Sequence, residues 1–317
     1  MIGEMGSTPS QMRDEGRAAA PNASAREAAS VMRWATASLF FGWGLIYYFW
    51  EVPIRSFFWN EQLLKPVIET LSSVTWSEYV TSSEVNHALD VLMDLTGVFL
   101  VICALACLCF PRRFEAAGRL FLAGAGVLVV TMLTLWMDSG FQAAMFFEHA
   151  GQMLMPVIFY LYVFKGRDDE TLLMLTKVGV ALTFTCHGLY ALGVYPVPGA
   201  FIDMIISTIG VGESTARVLL TLAGVADVLL SLMIFVPAVR TPALAYAVVW
   251  GLLTTLARPL ANADLGSGLE GFFYWIAQAL YRAPHFALPL ILLILYKSRV
   301  QESEVAPSAP LERATLN

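Results

Sequence analysis

The chain has 317 residues, of which 57% are hydrophobic and only 14% are charged, whereas ordinary soluble domains carry roughly 25% charged residues. One soluble core cannot bury so many apolar side chains, so the composition argues against a soluble globular domain and predicts an all-α integral membrane protein. The net charge of -6 is spread over loops and tails without a basic block. This excludes nucleic acid as the expected partner, because polyanion binding needs clustered cations that release counterions. The expected partner is the lipid bilayer.

Eight apolar segments are candidates to cross that bilayer, since a spanning helix needs about 20 mostly apolar residues. They occupy residues 32–51, 89–110, 117–137, 148–164, 174–193, 215–237, 242–260 and 278–296. The polar ends, 1–31 and 299–317, lack an apolar period, which predicts two disordered tails. The segments divide into a first unit at 32–165 and a second at 174–298.

Basic residues alternate along the connections between these segments. Arginine and lysine precede the first segment, follow the eighth, and occur after the second, fourth and sixth. The connections Asp138 to Phe147, Pro196 to Ser214 and Ala261 to Gln278 contain neither. Cytoplasmic loops carry an excess of basic residues, so both termini are predicted to lie in the cytoplasm, with the protein in the cell (inner) membrane.

The connection at 52–86 differs from the others because it is long and mixed in charge. Its aromatic and aliphatic residues, interrupted by Pro66, predict short amphipathic pieces lying on the outer surface.

An internal repeat relates the two units. Each copy has four spans, an even number, so the copies should be parallel and related by an axis along the membrane normal. The fold class predicted is therefore eight transmembrane helices as two parallel four-helix repeats. The matched stretches are Gly97 to Pro111 with Gly224 to Pro237, Ala150 to Gln152 with Ala283 to His285, and Gly42 to Tyr47 with Cys186 to Tyr190.

These motifs resemble those of the DoxX-like superfamily. The resemblance rests mainly on Cys186 to Leu189 and on Gly224 to Leu230 followed by Pro237. Members often have Glu where Asp227 stands, and Leu100 occupies that position in the first copy. The superfamily includes subunits of thiosulfate:quinone oxidoreductase, partners in methylamine dehydrogenase maturation, and cargo or chaperone proteins. The resemblance therefore implies the four-helix unit more strongly than any one activity.

The four histidines all fall in the predicted outer half of the membrane. They are His87, His149, His187 and His285. Ionisable residues within a membrane are costly and are functional hypotheses by default. The predicted substrate-binding residues on this side are His149, Gln152, His187, Asp264, Glu270 and Arg282.

Helical spacing places polar residues on matching faces of the two copies. His87, Asp90 and Asp94 share one face of the second span, and the repeat puts Arg217 at the position equivalent to Asp90. These two opposite charges are expected to pair across the repeat axis.

The fourth and eighth spans show a similar divergence. His149 and Gln152 share one face of the fourth span, and Arg282 and His285 occupy the matching face of the eighth. The copies thus differ most at polar positions, which predicts an asymmetric site at their interface.

Three residues are the catalytic candidates: Asp227 in the middle of the sixth span, Arg258 at the end of the seventh, and His285 in the eighth. A buried aspartate must be protonated or paired, and Arg258 and Arg282 are the available cations. A structural ion pair explains Asp227 equally well. The polar stretch 258–268, followed by a short re-entrant helix at 271–279, is the expected wall of a pocket.

Several chemistries fit this group of residues. A metal site would have to recruit the histidines from separate helices, because no HxxxH, HxxE or HExxH spacing occurs. A quinone is therefore favoured over haem or a metal, and a small anion is equally suited to the arginines. Alternatively, these side chains simply face water and headgroups. The chain has no CxxC motif, and Cys103 and Cys107 are expected to pack as small hydrophobes.

The function predicted from these features is a redox-associated membrane subunit or enzyme, such as a quinone-linked oxidoreductase. Its polar pocket for a quinone or small anion would face outward, and a soluble or membrane redox protein would be its partner. Two alternatives stay open: a transporter of a small solute, and an assembly or chaperone factor that acts without catalysis.

Overall fold

The computed structural model describes residues 23–111, 114–262 and 269–305, and every regular element in those ranges is a helix. The predicted all-α class is confirmed. The order along the chain is α1 (Ala23–Phe49), α2 (Ile54–Phe58), α3 (Glu61–Leu71), α4 (Trp76–Thr81), α5 (Ser83–Cys109), α6 (Glu115–Asp138), α7 (Ala143–Phe147), α8 (Ala150–Phe159, extended by a π-helical turn at Tyr160–Phe164), α9 (Glu170–Ala191), α10 (Gly199–Ile209), α11 (Glu213–Met233), α12 (Arg240–Ala261), α13 (Leu269–Tyr281) and α14 (Pro284–Val305).

Six helical stretches in the described part of the chain are long and apolar enough to cross a membrane. They are Ser83–Cys109, Gly118–Asp138, Glu170–Ala191, Glu213–Met233, Arg240–Ala261 and Leu269–Gln301. The chain is thus a multi-pass membrane protein. The predicted spans 32–51 and 148–164 are not among the six. Helix α8 is only 10 residues long before its π-helical turn, too short by itself to cross a membrane.

Several predicted boundaries differ from the structure. Helix α1 already begins at Ala23, and α14 continues to Val305, so the predicted tails are helical where they join the bundle. The predicted span 278–296 is not one helix, because a turn at Arg282 and Ala283 separates α13 from α14. That turn places Arg282 and His285 at the start of α14.

The connection at 52–86 folds into α2, α3 and α4, which confirms the short helical pieces predicted there. Pro66 does not interrupt them, since α3 continues through it. One face of α3 exposes Leu63, Val67 and Leu71, as an amphipathic helix would.

Two pairs of helices approach so closely that only glycine fits between them. A Cβ atom on Gly44 of α1 would lie 3.0 Å from the main-chain oxygen of Gly97 of α5. A Cβ atom on Gly188 of α9 would lie 2.8 Å from the corresponding oxygen of Gly224 of α11. Small residues at helix crossings in membranes permit such backbone contact. Helix α9 is thereby held close against α11.

The helix pairs meet around one large apolar core. Helix α1 packs against α5 and α14, and α9 packs against α11 and α8. Helix α14 also contacts α12 and α8. The first turns of α8 and α14 therefore come together with the end of α9, and the candidate site lies there.

Candidate functional site

A group of buried ionisable side chains, called here the polar cluster, lies where these elements meet. Glu148 and His149 come from the junction of α7 and α8, and His187 comes from α9. The remaining members are Arg258 of α12, Arg282 of the turn between α13 and α14, and His285 of α14. The structure thus brings together three of the four histidines and both arginines predicted from the sequence.

The three imidazoles are all oriented by main-chain carbonyl groups. His149 and His187 donate from Nδ1 to the carbonyl oxygen of the residue four positions earlier, at 2.8 Å in each case. His285 donates from Nδ1 to the carbonyl oxygen of Arg282 at 3.0 Å. A carbonyl can only accept, so Nδ1 carries the proton in each neutral ring and Nε2 presents a lone pair. The Nε2 atom of His285 is buried and has no hydrogen-bond partner among the described residues.

The two arginines are only 8% and 7% exposed, for Arg258 and Arg282 respectively. Arg258 donates to the side-chain oxygen of Gln278 at 3.0 Å, and Arg282 donates to Nε2 of His187 at 3.4 Å. The Nε atoms of both arginines are buried, and nothing in the described ranges accepts a hydrogen bond from them. Donors remain within the cluster after its internal contacts are made.

Glu148 is the one carboxylate in the polar cluster. Its oxygens lie 3.7 Å from Nδ1 of His149 and 4.0 Å from Nε2 of His187. Both Arg258 and Arg282 act on it electrostatically. Among the described residues, two guanidinium groups against a single ionised carboxylate leave one net positive charge when the imidazoles are neutral.

Close helix packing fixes His285. A Cβ atom on Gly251 of α12 would lie 2.6 Å from the main-chain oxygen of His285, so α12 and α14 touch at that residue. The His285 ring is nearly perpendicular to that of His187, with 5.3 Å between the ring centroids. The site is therefore built on rigid elements, as a binding constellation requires.

Gln152, one of the predicted ligand-binding residues, is engaged elsewhere. Its side-chain oxygen accepts a hydrogen bond of 2.8 Å from Nε1 of Trp43, and Trp43 stacks on Tyr281 with ring centroids 4.5 Å apart. This aromatic group lies beside the polar cluster and is neutral.

Asp227 does not pair with the arginines as expected. It lies between α9 and α11, and its carboxyl interacts with the side chain of Trp250. None of the ion pairs in the described ranges joins it to Arg258 or Arg282, and one of its carboxyl oxygens has no hydrogen-bond partner there. The glycine contact at Gly188 explains this position, since it holds Asp227 against α9 instead of directing it toward the cluster.

The expected pairing of Asp90 with Arg217 is wrong. Asp90 pairs with Arg55, which α2 brings back over the start of α5. Arg217 pairs with Glu213 of its own helix at 2.7 Å. Arg217 has a partner one helical turn away, Asp90 has a partner supplied by α2, and the side chains of Asp90 and Arg217 are both more than half exposed.

The other described candidates are not members of the polar cluster. His87 and Glu270 are exposed. Asp264 lies outside the described residues. Cys103 and Cys107 are buried in the apolar core, and all four cysteines are free.

One cluster residue, Glu148, and one partner of the cluster, Gln278, were not among the predicted site residues. Glu148 adjoins His149, and Gln278 lies four positions before Arg282, so one helical turn could have suggested each of them. Within the described ranges, no group of three or more His, Cys, Asp or Glu side chains is arranged to hold a metal ion. Arg282 directs its donor at Nε2 of His187, the atom that a metal would need.

No family model, curated protein or solved structure matches the chain. The geometry of the polar cluster is consequently the main basis for the functional conclusion.

Proposed function

We propose that the chain spans the membrane eight times as two parallel four-helix repeats, with both termini in the cytoplasm. Helices α1, α5, α6 and α8 form the first repeat, and α9, α11, α12 and α14 form the second. The glycine pairs support this arrangement, because Gly44 and Gly97 occupy the same aligned positions as Gly188 and Gly224. Short helices also fall at the same places in both copies, after the first and third long helices.

The same alignment relates the two groups of side chains at the outer ends of these helices. Trp43 aligns with His187, and Gln152 aligns with His285. In the first copy these positions are joined by the hydrogen bond from Trp43 to Gln152, whereas in the second copy two imidazoles face each other. The first copy thus has a neutral hydrogen-bonded pair at these positions, and the second copy has two ionisable side chains.

Binding of a small anion at the polar cluster is the function that this geometry supports best. The observation that carries it is the excess of buried arginine over carboxylate among the described residues of the polar cluster. Burying a net charge away from water costs free energy, and a bound anion would neutralise it. The unpaired Nε donors of Arg258 and Arg282 would supply charge-assisted hydrogen bonds, which suit carboxylate and oxyanion geometry.

A quinone is the second candidate, because the cluster offers an acceptor as well as donors. A quinone carbonyl would accept from a guanidinium group, and a quinol hydroxyl would donate to Nε2 of His285. Phe201 of α10 lies parallel to the ring of His187 at 6.3 Å and adds aromatic surface. Together with the DoxX-like resemblance, this extends the proposal to a subunit or enzyme of a membrane oxidoreductase, with a redox protein as its partner.

A ligand panel tests this proposal on the purified wild-type protein. We expect its thermal unfolding temperature to rise with at least one of sulfate, sulfite, bicarbonate, formate or a short-chain ubiquinone. A ligand at a hundred times its Kd stabilises the folded state by about 2.7 kcal/mol, which is readily measured. Stabilisation by an oxyanion selects the first candidate, and stabilisation by the quinone alone selects the second. If no member of the panel raises the unfolding temperature, the proposed function is wrong.

Single-cysteine labelling tests the eight spans. In a cysteine-free background, Ser77→Cys and Asp138→Cys should react with a membrane-impermeant maleimide added to intact cells. Ser10→Cys and Thr171→Cys should react only after the membrane is made permeable. Helix α1 separates Ser10 from Ser77, and α8 separates Asp138 from Thr171. Labelling of both members of a pair from the same side would show that the helix between them does not span the membrane.

A further inference from the structure

Two cations share one aromatic ring at the other end of the second repeat. The guanidinium carbon of Arg240 lies 3.5 Å from the ring centroid of Tyr296, and Nζ of Lys177 lies 5.5 Å from it. Arg240 begins α12, Lys177 lies near the beginning of α9, and Tyr296 lies toward the end of α14. We call these three residues the Tyr296 cluster.

Acidic side chains of the described residues do not balance the charges of this cluster. Neither Lys177 nor Arg240 forms an ion pair or donates a hydrogen bond within the described parts of the chain, and Nε of Arg240 and the hydroxyl of Tyr296 are buried without a partner there. Nearby Arg299, in contrast, pairs with Asp168 and Glu170. Two positive charges beside one ring repel each other, so a bound anion would stabilise them.

The first repeat shows how such a cation can be satisfied. Arg33 stands as far before Gly44 as Lys177 stands before Gly188. Its guanidinium donates to the main-chain oxygens of Cys107 and Phe110, at the end of α5. Lys177 makes no such contact in the second repeat, which leaves its ammonium group free to bind a ligand.

The start of α12 adds a third source of positive potential. Val239 precedes Arg240 and provides no side-chain cap, so the main-chain N–H groups of Arg240 and Thr241 have no acceptor from its side chain, and Pro242 has no N–H group. The positive end of the helix dipole favours phosphate at a helix N-terminus. Basic pockets between spanning helices are also suited to anionic lipid headgroups.

We propose that the Tyr296 cluster binds a phosphate group, carried either by the headgroup of an anionic phospholipid or by free phosphate. Arg240 and Lys177 neutralise its charge, and the Tyr296 hydroxyl donates to one of its oxygens. This site lies in the opposite halves of α9 and α14 from His187 and His285. This proposal is therefore independent of which ligand binds at the polar cluster.

Thermal unfolding of the delipidated full-length protein tests this proposal. Phosphatidylglycerol, phosphatidylcholine and inorganic phosphate are added separately to the wild type and to the Lys177→Gln/Arg240→Gln double variant. We expect phosphatidylglycerol to raise the unfolding temperature of the wild type, phosphatidylcholine to have little effect, and the rise to disappear in the double variant. An equal rise with inorganic phosphate would identify free phosphate as the source, and no rise with either phosphate compound would overturn the proposal.

Two further variants make this test specific. Lys297→Gln removes an exposed cation that has no contact with the Tyr296 ring, and it should keep the full response. Tyr296→Phe removes one hydroxyl and should weaken phosphate binding roughly two- to tenfold, which can be measured even if the double variant does not fold. A response unchanged in Tyr296→Phe and in the double variant would contradict the assigned site.

Discussion

Arg282→Gln is expected to reduce the affinity of the polar cluster for its anion by roughly ten- to a hundredfold, because a charged hydrogen bond contributes about 1.5–3 kcal/mol. The substitution removes one of two guanidinium groups and leaves Arg258 opposite Glu148. The neutral amide of glutamine keeps a hydrogen-bond donor on a shorter side chain, without the charge. Titration of the stabilising ligand against thermal unfolding measures the change.

The same variant is expected to unfold, without ligand, at a temperature equal to or above that of the wild type. Arg282 contributes the uncompensated positive charge, and its removal leaves Arg258 and Glu148 balanced. A residue that only supported the fold would instead lower the unfolding temperature when it was replaced. Lower ligand affinity together with an unchanged or higher unfolding temperature without ligand therefore distinguishes a binding role from a structural one.

Arg217→Gln is the matched control for this substitution. Arg217 also lies in a spanning helix, but it is more than half exposed and already paired with Glu213. Its replacement should leave ligand affinity unchanged. Equal losses of affinity in the two variants would show that net charge alone matters and would remove Arg282 from the site.

The sequence predicted the helices well because an apolar run long enough to span a membrane has few other structures available to it. It predicted their limits less well. The apolar pattern continues across Arg282, and the only local signal for the turn between α13 and α14 is Pro284, the first residue of α14. That turn places Arg282 and His285 beside His187, so the missed boundary also concealed the geometry of the site.

Contacts between distant parts of the chain account for the remaining differences. The pairing of Asp90 with Arg55 depends on how α2 packs against α5. The spacing of residues along α5 cannot predict that packing. The sequence predicts an ion pair between Asp227 and an arginine, but close packing of α9 on α11 holds Asp227 near Trp250. Helical spacing correctly related positions within one helix, whereas partners across helices required the structure.

Alanine at either Gly188 or Gly224 is expected to produce a large loss of stability. The new Cβ atom would lie 2.8 Å or 2.9 Å from a main-chain oxygen of the facing helix, closer than van der Waals contact allows. Overpacking typically costs 1–3 kcal/mol, and main-chain atoms cannot move aside as a flexible side chain can. We therefore expect a loss of about 3 kcal/mol, toward the upper end of that range.

A thiol-reactive dye can follow unfolding directly, because Cys103, Cys107 and Cys186 are buried while Cys109 is exposed. In a Cys109→Ser background, labelling should begin at a lower temperature in both glycine variants than in the parent. Gly126→Ala is the control, since no atom lies within 4 Å of its added Cβ position. Alanine there should be neutral or stabilise the helix by roughly 0.5–1 kcal/mol. Equal behaviour of all three variants would show that the close helix contact does not determine stability.

The corresponding substitution in the proposed first repeat separates stability from function. Gly97→Ala should destabilise the protein much as Gly224→Ala does, because its Cβ would also lie 2.9 Å from a main-chain oxygen. Ligand affinity of the folded fraction should respond differently. Displacing α9 moves His187 within the polar cluster, whereas displacing α1 moves Trp43, which belongs to the neutral aromatic contact. Affinity should therefore fall in Gly224→Ala and persist in Gly97→Ala. Loss of affinity in both variants would mean that the two repeats form a single site and that the asymmetry proposed between them is wrong.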